Sequence, residues 1–484
     1  MGRCRASFVA ASIPILVLLT ASSAAHARRC VIPSGGWVAV SPRGAPSVST
    51  ETPVVEAGGR ILVFGHPGAI FDPCANRWLP MAKGSSSFAI GAGRSHPVLV
   101  AGDRVVFLAM GGGGEMPFAQ DGVTAAVYDA AANRWSFVRD QPEALPWRRG
   151  ALAVAAGREI IVWGGVAEEH PGRGGRARLL DDGARLDPAT GQWQPMSRKN
   201  APSARSYARG VSTGTRLVVW GGMGTQTNPY RCGPPGECRP TAGGAVYDPA
   251  TDTWAPMSAA GAPVARFGPA VKKVGGSVLI WGGVDHPDGA LYDPGVNAWR
   301  ALPPPPGTIT QARLDDFDAL VDDGTIVVIT NRKQAAIFDL ARWTWSIVPD
   351  PVLPLGLVDL RDLGGRAVRL IVQHARPGAL GVGSLARVNA RTARWELAPL
   401  PPRGSPSSLE SGIAAWVEDR LVLWGPRHQE IRYENDPSGP RGCGPRVPGQ
   451  PVCDPVIPVR EVRIGPGGQE GGMLRPLFVT APTR

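Results

Sequence analysis

Short apolar runs alternate with polar turns along most of the chain, and seven of them recur in corresponding places. Each follows a stretch of small residues and a turn, as in "ALAVAAGRE", and they read "RILVF", "RVVFLA", "EIIVW", "RLVVW", "SVLIW", "TIVVI" and "VRLIV". Brief β-branched runs bounded by turn residues are typical of strands. With 63 Gly and 49 Pro in 484 residues, the chain is also rich in turns. The sequence therefore predicts an all-β protein.

A hairpin signal follows each of these runs. An apolar or aromatic residue stands seven residues before a tryptophan in the pairs Phe71 and Trp78, Tyr128 and Trp135, Leu186 and Trp193, Tyr247 and Trp254, Tyr292 and Trp299, Phe338 and Trp345, and Val388 and Trp395. The first member of each pair is followed by an acid or amide, namely Asp72, Asp129, Asp187, Asp248, Asp293, Asp339 and Asn389. Such a side chain caps the backbone and opens a turn. We therefore expect one strand to end at the first member and the next to begin at the tryptophan.

Together these signals predict repeated units of four short antiparallel strands, which we name a to d in chain order. One unit is too small to bury both faces of its sheet, so the units must stack. Radial stacking gives a β-propeller, for which we expect about eight four-stranded blades, with about seven as the alternative. We interpret the repeated Trp and Tyr residues as packing between blades.

The last unit involves both ends of the chain. The stretch "SGIAAWVEDRLVLWGPRHQEIRYEND" predicts strands a, b and c, with Tyr433 in c, but Pro440 stands where the tryptophan of strand d would be. Trp37, in "GGWVAVSPRGAPS", is placed like the tryptophan of a strand d. We therefore expect the N-terminal strand to close the ring. In the alternative, the tail from residue 440 onward supplies that strand and Trp37 lies at an edge.

Three units carry a glycine pair at the end of strand b, namely Gly164–Gly165, Gly221–Gly222 and Gly282–Gly283. The order apolar run, Gly-Gly, aromatic–Asp and Trp resembles the kelch repeat over residues from about 50 to 433. The resemblance implies a kelch-type β-propeller of the galactose-oxidase-like superfamily, in a secreted bacterial-type member. Since no helix follows the glycine pairs, we interpret them as points of backbone freedom and not as a phosphate-binding loop.

Residues 1–27 predict a secretory signal peptide, with Arg3 and Arg5 before the apolar segment "FVAASIPILVLLTA" and small residues up to Ala27. We expect cleavage after Ala27, a propeller domain over 28–440 and a tail over 441–484 that carries a disulfide. No later stretch approaches about 18 uninterrupted apolar residues. The sequence predicts a monomeric secreted or periplasmic protein without a transmembrane segment.

The mature chain keeps an even number of cysteines, as expected for disulfides in an oxidising compartment. They are Cys30, Cys74, Cys232, Cys238, Cys443 and Cys453. The short loops "RCGPPGEC" and "CGPRVPGQPVC" favour Cys232–Cys238 and Cys443–Cys453, which leaves Cys30–Cys74 as one choice among several connectivities. Ring closure by the N-terminal strand also favours Cys30–Cys74.

The net charge of +11 becomes +9 when Arg3 and Arg5 leave with the signal peptide. Arginines supply nearly all the positive charge and are scattered along the chain. A nucleic-acid-binding protein usually concentrates its cations on one face or in one run. We therefore do not expect a nucleic-acid partner.

Binding residues are expected on the d–a and b–c loops, which share one face of a propeller. Three successive b–c loops are long, covering 111–123, 166–183 and 223–243, and the third contains Tyr230. Long loops on a rigid support are frequent binding sites, although neutral insertions are the alternative. This face is expected to bind a glycan, a protein or an envelope ligand.

Arginines recur where the d–a loop enters strand a, at Arg94, Arg149, Arg205, Arg266 and Arg313. They form either a ring that binds carboxylates or phosphates or, as the kelch resemblance implies, ties from the loop to backbone carbonyls. Acids on the same loops (Glu115, Glu168, Glu169, Asp315 and Asp316) are candidate proton carriers. With the arginines, they leave open an enzyme acting on an anionic sugar, as the resemblance to the sialic-acid epimerases among kelch proteins implies.

Metal and cofactor chemistry is not expected. The six mature histidines fall in six different units without a paired spacing, which favours solvent-exposed loop residues over a metal site. The resemblance to galactose oxidase would imply copper held by tyrosines and histidines. Only Tyr207 and Tyr230 lie outside the repeat positions, without a neighbouring histidine, so we do not expect that activity.

Overall fold

The computed structural model describes residues 37–48, 52–65, 67–84, 97–110, 124–138, 145–168, 177–224, 239–284, 286–306, 318–322, 325–329, 335–349, 368–374, 380–389, 391–399, 413–417, 420–426, 430–435, 459–464, 469–474 and 479–480. Within these residues the chain forms strands and turns and no helix. The described strands form eight antiparallel four-stranded sheets and three two-stranded ribbons. The prediction of an all-β protein built from repeated sheets is confirmed, and the arrangement is propeller-like.

Six sheets, numbered I to VI, each take their strands a to d in chain order, and in sheets III and IV a ribbon lies between strands b and c. Sheet I has Val54–Ala57, Arg60–Val63, Ala69–Asp72 and Arg77–Pro80. Sheet II has Val98–Ala101, Arg104–Ala109, Thr124–Asp129 and Arg134–Val138. Sheet III has Leu152–Ala156, Glu159–Trp163, Gly183–Asp187 and Gln192–Pro195. Sheet IV has Arg209–Ser212, Leu217–Trp220, Gly244–Asp248 and Thr253–Pro256. Sheet V has Ala270–Val274, Ser277–Trp281, Gly289–Asp293 and Ala298–Ala301. Sheet VI has Asp318–Asp322, Thr325–Ile329, Ala335–Asp339 and Thr344–Val348.

The remaining sheets and ribbons combine distant parts of the chain. Sheet VII has Val368–His374, Leu380–Asn389, Arg394–Pro399 and Val479–Thr480. Sheet VIII has Ile413–Val417, Arg420–Pro426, Gln469–Leu474 and Trp37–Ala39. The ribbons pair Val166–Glu168 with Ala177–Leu179, Met223–Gly224 with Arg239–Pro240, and Glu430–Asn435 with Val459–Ile464.

Sheet VIII departs from the sequence-based prediction in its third strand. Gln469–Leu474, from the segment predicted as a tail, lies between Arg420–Pro426 and Trp37–Ala39. The predicted strand c around Tyr433 is instead half of the ribbon with Val459–Ile464, so that prediction was wrong. The apolar pattern marks a segment as a strand, but it carries no information about which distant strand will be its partner.

In sheets I to V, strand b reads as a continuous apolar run because both of its faces are buried. In sheet III, Ile160 and Val162 belong to a core cluster with sheet II, whereas Ile161 and Trp163 belong to a cluster with sheet IV. Similar clusters join sheets VIII and I, I and II, IV and V, and V and VI. Since successive side chains of a strand point to opposite faces, every second residue serves a different neighbour.

The c–d hairpins form as the sequence predicts. In each of the seven pairs the first residue lies directly opposite its tryptophan across strands c and d. The carboxylate or amide oxygen after the first residue accepts backbone N–H groups of the turn at 2.7 to 3.0 Å. The spacing of seven residues is therefore the length of this capped turn.

In the c–d turns of sheets II, IV and V, a left-handed Asn or Asp ties the hairpin to the preceding sheet. Asn297, with φ of 52°, accepts hydrogen bonds from the Ser258 N–H and the Tyr292 hydroxyl, each at 2.8 Å. The Trp299 indole N–H donates to the Ser258 carbonyl at 2.7 Å. The tryptophans of sheets II, IV and VI make the same bond to the sheet before them. These repeated aromatic residues are therefore packing residues between sheets.

Two variants of Asn297 should separate the cost of the left-handed backbone from that of the lost hydrogen bonds. Asn297→Gly keeps the backbone conformation and should lower the free energy of unfolding by about 1 to 2 kcal/mol through lost bonds. Asn297→Ala loses the same bonds and adds strain, for about 1 kcal/mol more. Urea unfolding measures the difference, and equal values for the two variants would contradict the assignment of strain.

Candidate functional site

Three buried arginines hold the d–a segments of sheets III, IV and V in the same way, and we call each an arginine clamp. Arg148, Arg205 and Arg266 each lie four residues before strand a and are at most 4% exposed. Their Nη1 groups donate to the carbonyl of the first glycine of the Gly-Gly pair, at 3.1 Å to Gly164, 2.9 Å to Gly221 and 3.2 Å to Gly282. The arginines and the glycine pairs therefore work as one unit.

Each clamp also holds the residue just before strand c. Nη1 donates to the carbonyl of Asp182, Gly243 or Asp288 at 3.0 to 3.1 Å. The Nε group of each arginine donates to the carbonyl two residues earlier in its own d–a segment, at 2.9 to 3.1 Å. One guanidinium thus satisfies three carbonyls from three segments, which its forked set of donors allows.

The glycine pair is needed for this geometry. Gly221 and Gly222 have φ of 65° and 99°, and the pairs of sheets III and V are left-handed in the same way. A Cβ on Gly222 would lie 2.7 Å from the Ser206 carbonyl. The prediction that these glycines supply backbone freedom agrees with both observations.

The structure accounts for three of the predicted arginine-ring residues and brings in one that was missed. Arg205 and Arg266 are clamps, as in the structural alternative considered for them. Arg148 fills the equivalent place in sheet III, whereas the predicted Arg149 is exposed. Arg94, Arg313 and Tyr230 lie outside the described residues. The spacing of four residues to strand a was the signal that distinguishes Arg148 from Arg149.

The clamps differ in electrostatic compensation. The Asp182 carboxylate accepts from Arg148 Nη1 at 2.9 Å, and Asp288 accepts from Arg266 Nη1 and Nη2 at 3.0 and 3.2 Å. Burial lowers the pKa of Arg148, and Asp182 opposes this effect. Burial also lowers the pKa of Arg205, to about 10, so its guanidinium stays protonated at neutral pH.

The long b–c loops of sheets III and IV are supported by the first two ribbons. Arg149 pairs with Val166, and Ser206 pairs with Met223, so each ribbon is bridged to its own d–a segment. Between the two units, Gly165 N–H donates to the Arg205 carbonyl at 2.8 Å. The described parts of both loops therefore form a continuous hydrogen-bonded base.

Other predicted candidates have fewer described contacts. His286 Nδ1 lies 3.9 Å from an Asp288 carboxylate oxygen. Of the proton-carrier candidates, Glu168 lies in a ribbon, and Glu115, Glu169, Asp315 and Asp316 lie outside the described residues. In the part of the chain that the structure describes, no three His, Cys, Asp or Glu side chains group as metal ligands. The described residues also include no helix long and apolar enough to cross a membrane.

Cys74 is exposed in the c–d turn of sheet I, where its N–H donates to Asp72 at 3.0 Å, and it is disulfide-bonded. The other predicted disulfide residues, Cys30, Cys232, Cys238, Cys443 and Cys453, lie outside the described residues. The three pairings therefore stay predictions.

No protein-family model matches the chain, and no curated protein matches it.

Proposed function

We propose that this chain is an exported kelch-type β-propeller of eight blades, closed into a ring by its N-terminal strand. The contacts of Trp37–Ala39 support this proposal. Asn76 Nδ2 donates to the Ala39 carbonyl at 2.9 Å, and its Oδ1 accepts the Ser41 N–H at 3.4 Å. Asn297 makes the same pair of contacts with the strand d that precedes it. By these contacts Trp37–Ala39 behaves as the strand d before sheet I.

We infer that the protein is a binding module whose ligand contacts the d–a and b–c loops, with a glycan as the first ligand class to test and a protein or envelope ligand as the other outcomes. The observation that carries this proposal is the bridged pair of ribbons under the long loops of sheets III and IV. A loop that only fills space needs no such base. Loops held at fixed positions by a rigid scaffold are where binding residues concentrate.

Removing the loop tips while keeping their ribbons tests this proposal. Residues 169–176 and 225–238 can each be replaced by Asn-Gly, because a two-residue turn closes an antiparallel ribbon. The shortened protein should keep the melting temperature of the wild type and lose at least about tenfold in affinity, since the ribbons and clamps stay intact. A glycan array at low and moderate salt measures binding. Unchanged binding after both replacements would contradict the proposal.

The alternative, a carbohydrate-active enzyme on an anionic sugar, receives less support. Such an enzyme needs an acid or base within reach of the bound substrate. The carboxylates beside two clamps, Asp182 and Asp288, already pair with Arg148 and Arg266.

A further inference from the structure

Sheet IV departs from its neighbours at three places around its arginine clamp. The residue before strand c is Gly243, where sheets III and V have Asp182 and Asp288. Two residues before the arginine is Ser203, where they have Pro146 and Val264. Two residues after the arginine is Tyr207, where they have Gly150 and Gly268. The arginine, its glycine pair and its hydrogen bonds to three carbonyls are kept.

Among the described residues, the first departure leaves the buried Arg205 without a carboxylate partner. It is 4% exposed and forms no ion pair within the described residues. Burial alone accounts for its lowered pKa of about 10, with no acid acting against it. Its hydrogen bonds to Ser203, Gly221 and Gly243 use four of its five N–H groups and leave one on Nη2. A buried charge without an opposite charge nearby is costly, so this remaining donor is suited to an external anion.

Gly243 carries no side chain where sheets III and V have Asp182 and Asp288, and its φ of 74° is left-handed, unlike theirs. A Cβ built on Gly243 would meet no atom within 4 Å. In sheet V the Asp288 carboxylate accepts hydrogen bonds from Nη1 and Nη2 of the equivalent arginine. This shows which edge of the guanidinium can bind a carboxylate. Ser203 Oγ accepts from Arg205 Nη2 at 3.0 Å, which leaves its own O–H as a donor on this side.

The third departure places an aromatic residue with a strained backbone on the same segment. Tyr207 has φ of 52° and is 52% exposed, whereas Gly150 and Gly268 have φ of 59° and 57°. A left-handed bulky residue costs on the order of 1–3 kcal/mol, and such strain concentrates at ligand sites. The Tyr207 ring lies against Gly150, because a Cβ built on Gly150 would lie 3.0 Å from the Tyr207 Cζ atom.

We propose that Arg205 binds the carboxylate of an acidic sugar, with that carboxylate in the position that the side chains of Asp182 and Asp288 occupy in the neighbouring sheets. Ser203 donates a second hydrogen bond, and Tyr207 supplies an aromatic surface on the same segment. This inference rests on the proposed binding function and names the chemistry of its ligand. A carboxylate on an acidic protein side chain has the same chemistry and is the second source to test.

A matched pair of variants tests the site without removing a buried arginine. Gly243→Asp places an acid at the residue equivalent to Asp182 and Asp288, and Gly243→Asn adds the same bulk without charge. Both residues tolerate the left-handed φ of 74° at this position. Calorimetric titration uses glucuronate as the probe, glucose as the uncharged sugar and acetyl-aspartyl amide as the side-chain acid.

We expect the wild type to bind glucuronate and not glucose, and Gly243→Asp to bind glucuronate at least about tenfold more weakly than Gly243→Asn. The Asp variant should also melt above the Asn variant, because it neutralises a buried charge. Stronger binding of glucuronate than of acetyl-aspartyl amide supports the sugar, and the reverse order overturns it in favour of a protein acid. Equal glucuronate binding by both variants, or none by the wild type, overturns the Arg205 site. The loop-shortened protein distinguishes failure of the Arg205 site from failure of the proposed function. Glycan binding that depends on the loops but not on residue 243 would overturn only the Arg205 site.

Discussion

Gly244→Ala should lower the free energy of unfolding by about 3 kcal/mol or more, the upper range for forcing extra atoms into a packed site. Gly244 begins strand c of sheet IV, and a Cβ there would lie 1.8 Å from the carbonyl oxygen of Val219 on strand b. Its φ is not left-handed, so the cost comes from the clash and not from the backbone angle. Either strand b or strand c must move, and both faces of strand b are packed.

Gly276→Ala is the matched control in the thermal or urea unfolding experiment. Gly276 lies in the a–b turn of sheet V, and a Cβ there would meet no atom within 4 Å. Its variant should stay within about 0.5 kcal/mol of the wild type. In Gly183→Ala and Gly289→Ala the new Cβ would lie 2.4 Å from a carbonyl oxygen. The loss in their free energy of unfolding should lie between those of Gly244→Ala and Gly276→Ala. Equal free energies of unfolding for Gly244→Ala and Gly276→Ala would contradict the close approach of strands b and c.

Arg266→Met should lower the free energy of unfolding by about 3–5 kcal/mol, because it leaves several carbonyl groups without their donor and each such group costs about 1–3 kcal/mol. The substitution keeps an apolar stem but leaves the carbonyls of Val264, Gly282 and Asp288 without this donor. Arg266→Lys keeps the charge and loses the forked geometry, so it should recover only part of the loss. The free energy of unfolding from urea titration measures both.

Arg198→Met provides the surface control for this series. Arg198 pairs with Asp181, but its side chain is 62% exposed. Because water screens such a pair, its loss should cost less than about 1 kcal/mol. An Arg266→Met variant as stable as Arg198→Met would rule out a structural clamp.

The seven c–d hairpins could be predicted because their information is local. The Asp or Asn that caps each turn, the left-handed residue and the tryptophan all lie within one short stretch, so the spacing in the sequence equals the spacing in the structure. The continuous apolar character of strand b was equally readable, since a strand between two neighbouring sheets has no polar face.

The clamps could be predicted only in part. The arginines at Arg205 and Arg266 stood out by their position before strand a, but Arg148 and Arg149 are adjacent, and the spacing of four residues separates them only when the first residue of strand a is known. The residue that faces each arginine lies before strand c, on a different segment from the arginine before strand a. It is Asp182 in sheet III, Gly243 in sheet IV and Asp288 in sheet V. Their relation appears only when strands a, b and c are brought together.

By itself, the sequence determined the all-β class, the repeated four-stranded unit and the register of its hairpins, because short-range capping and alternation encode them. Only the tertiary structure decided that Gln469–Leu474 is the third strand of sheet VIII and that Arg205 contacts Gly243 where the neighbouring clamps contact Asp182 and Asp288. Strand pairing and charge compensation both join residues far apart in the chain. The physical reason is that they depend on which distant groups meet, and a local pattern does not carry that information.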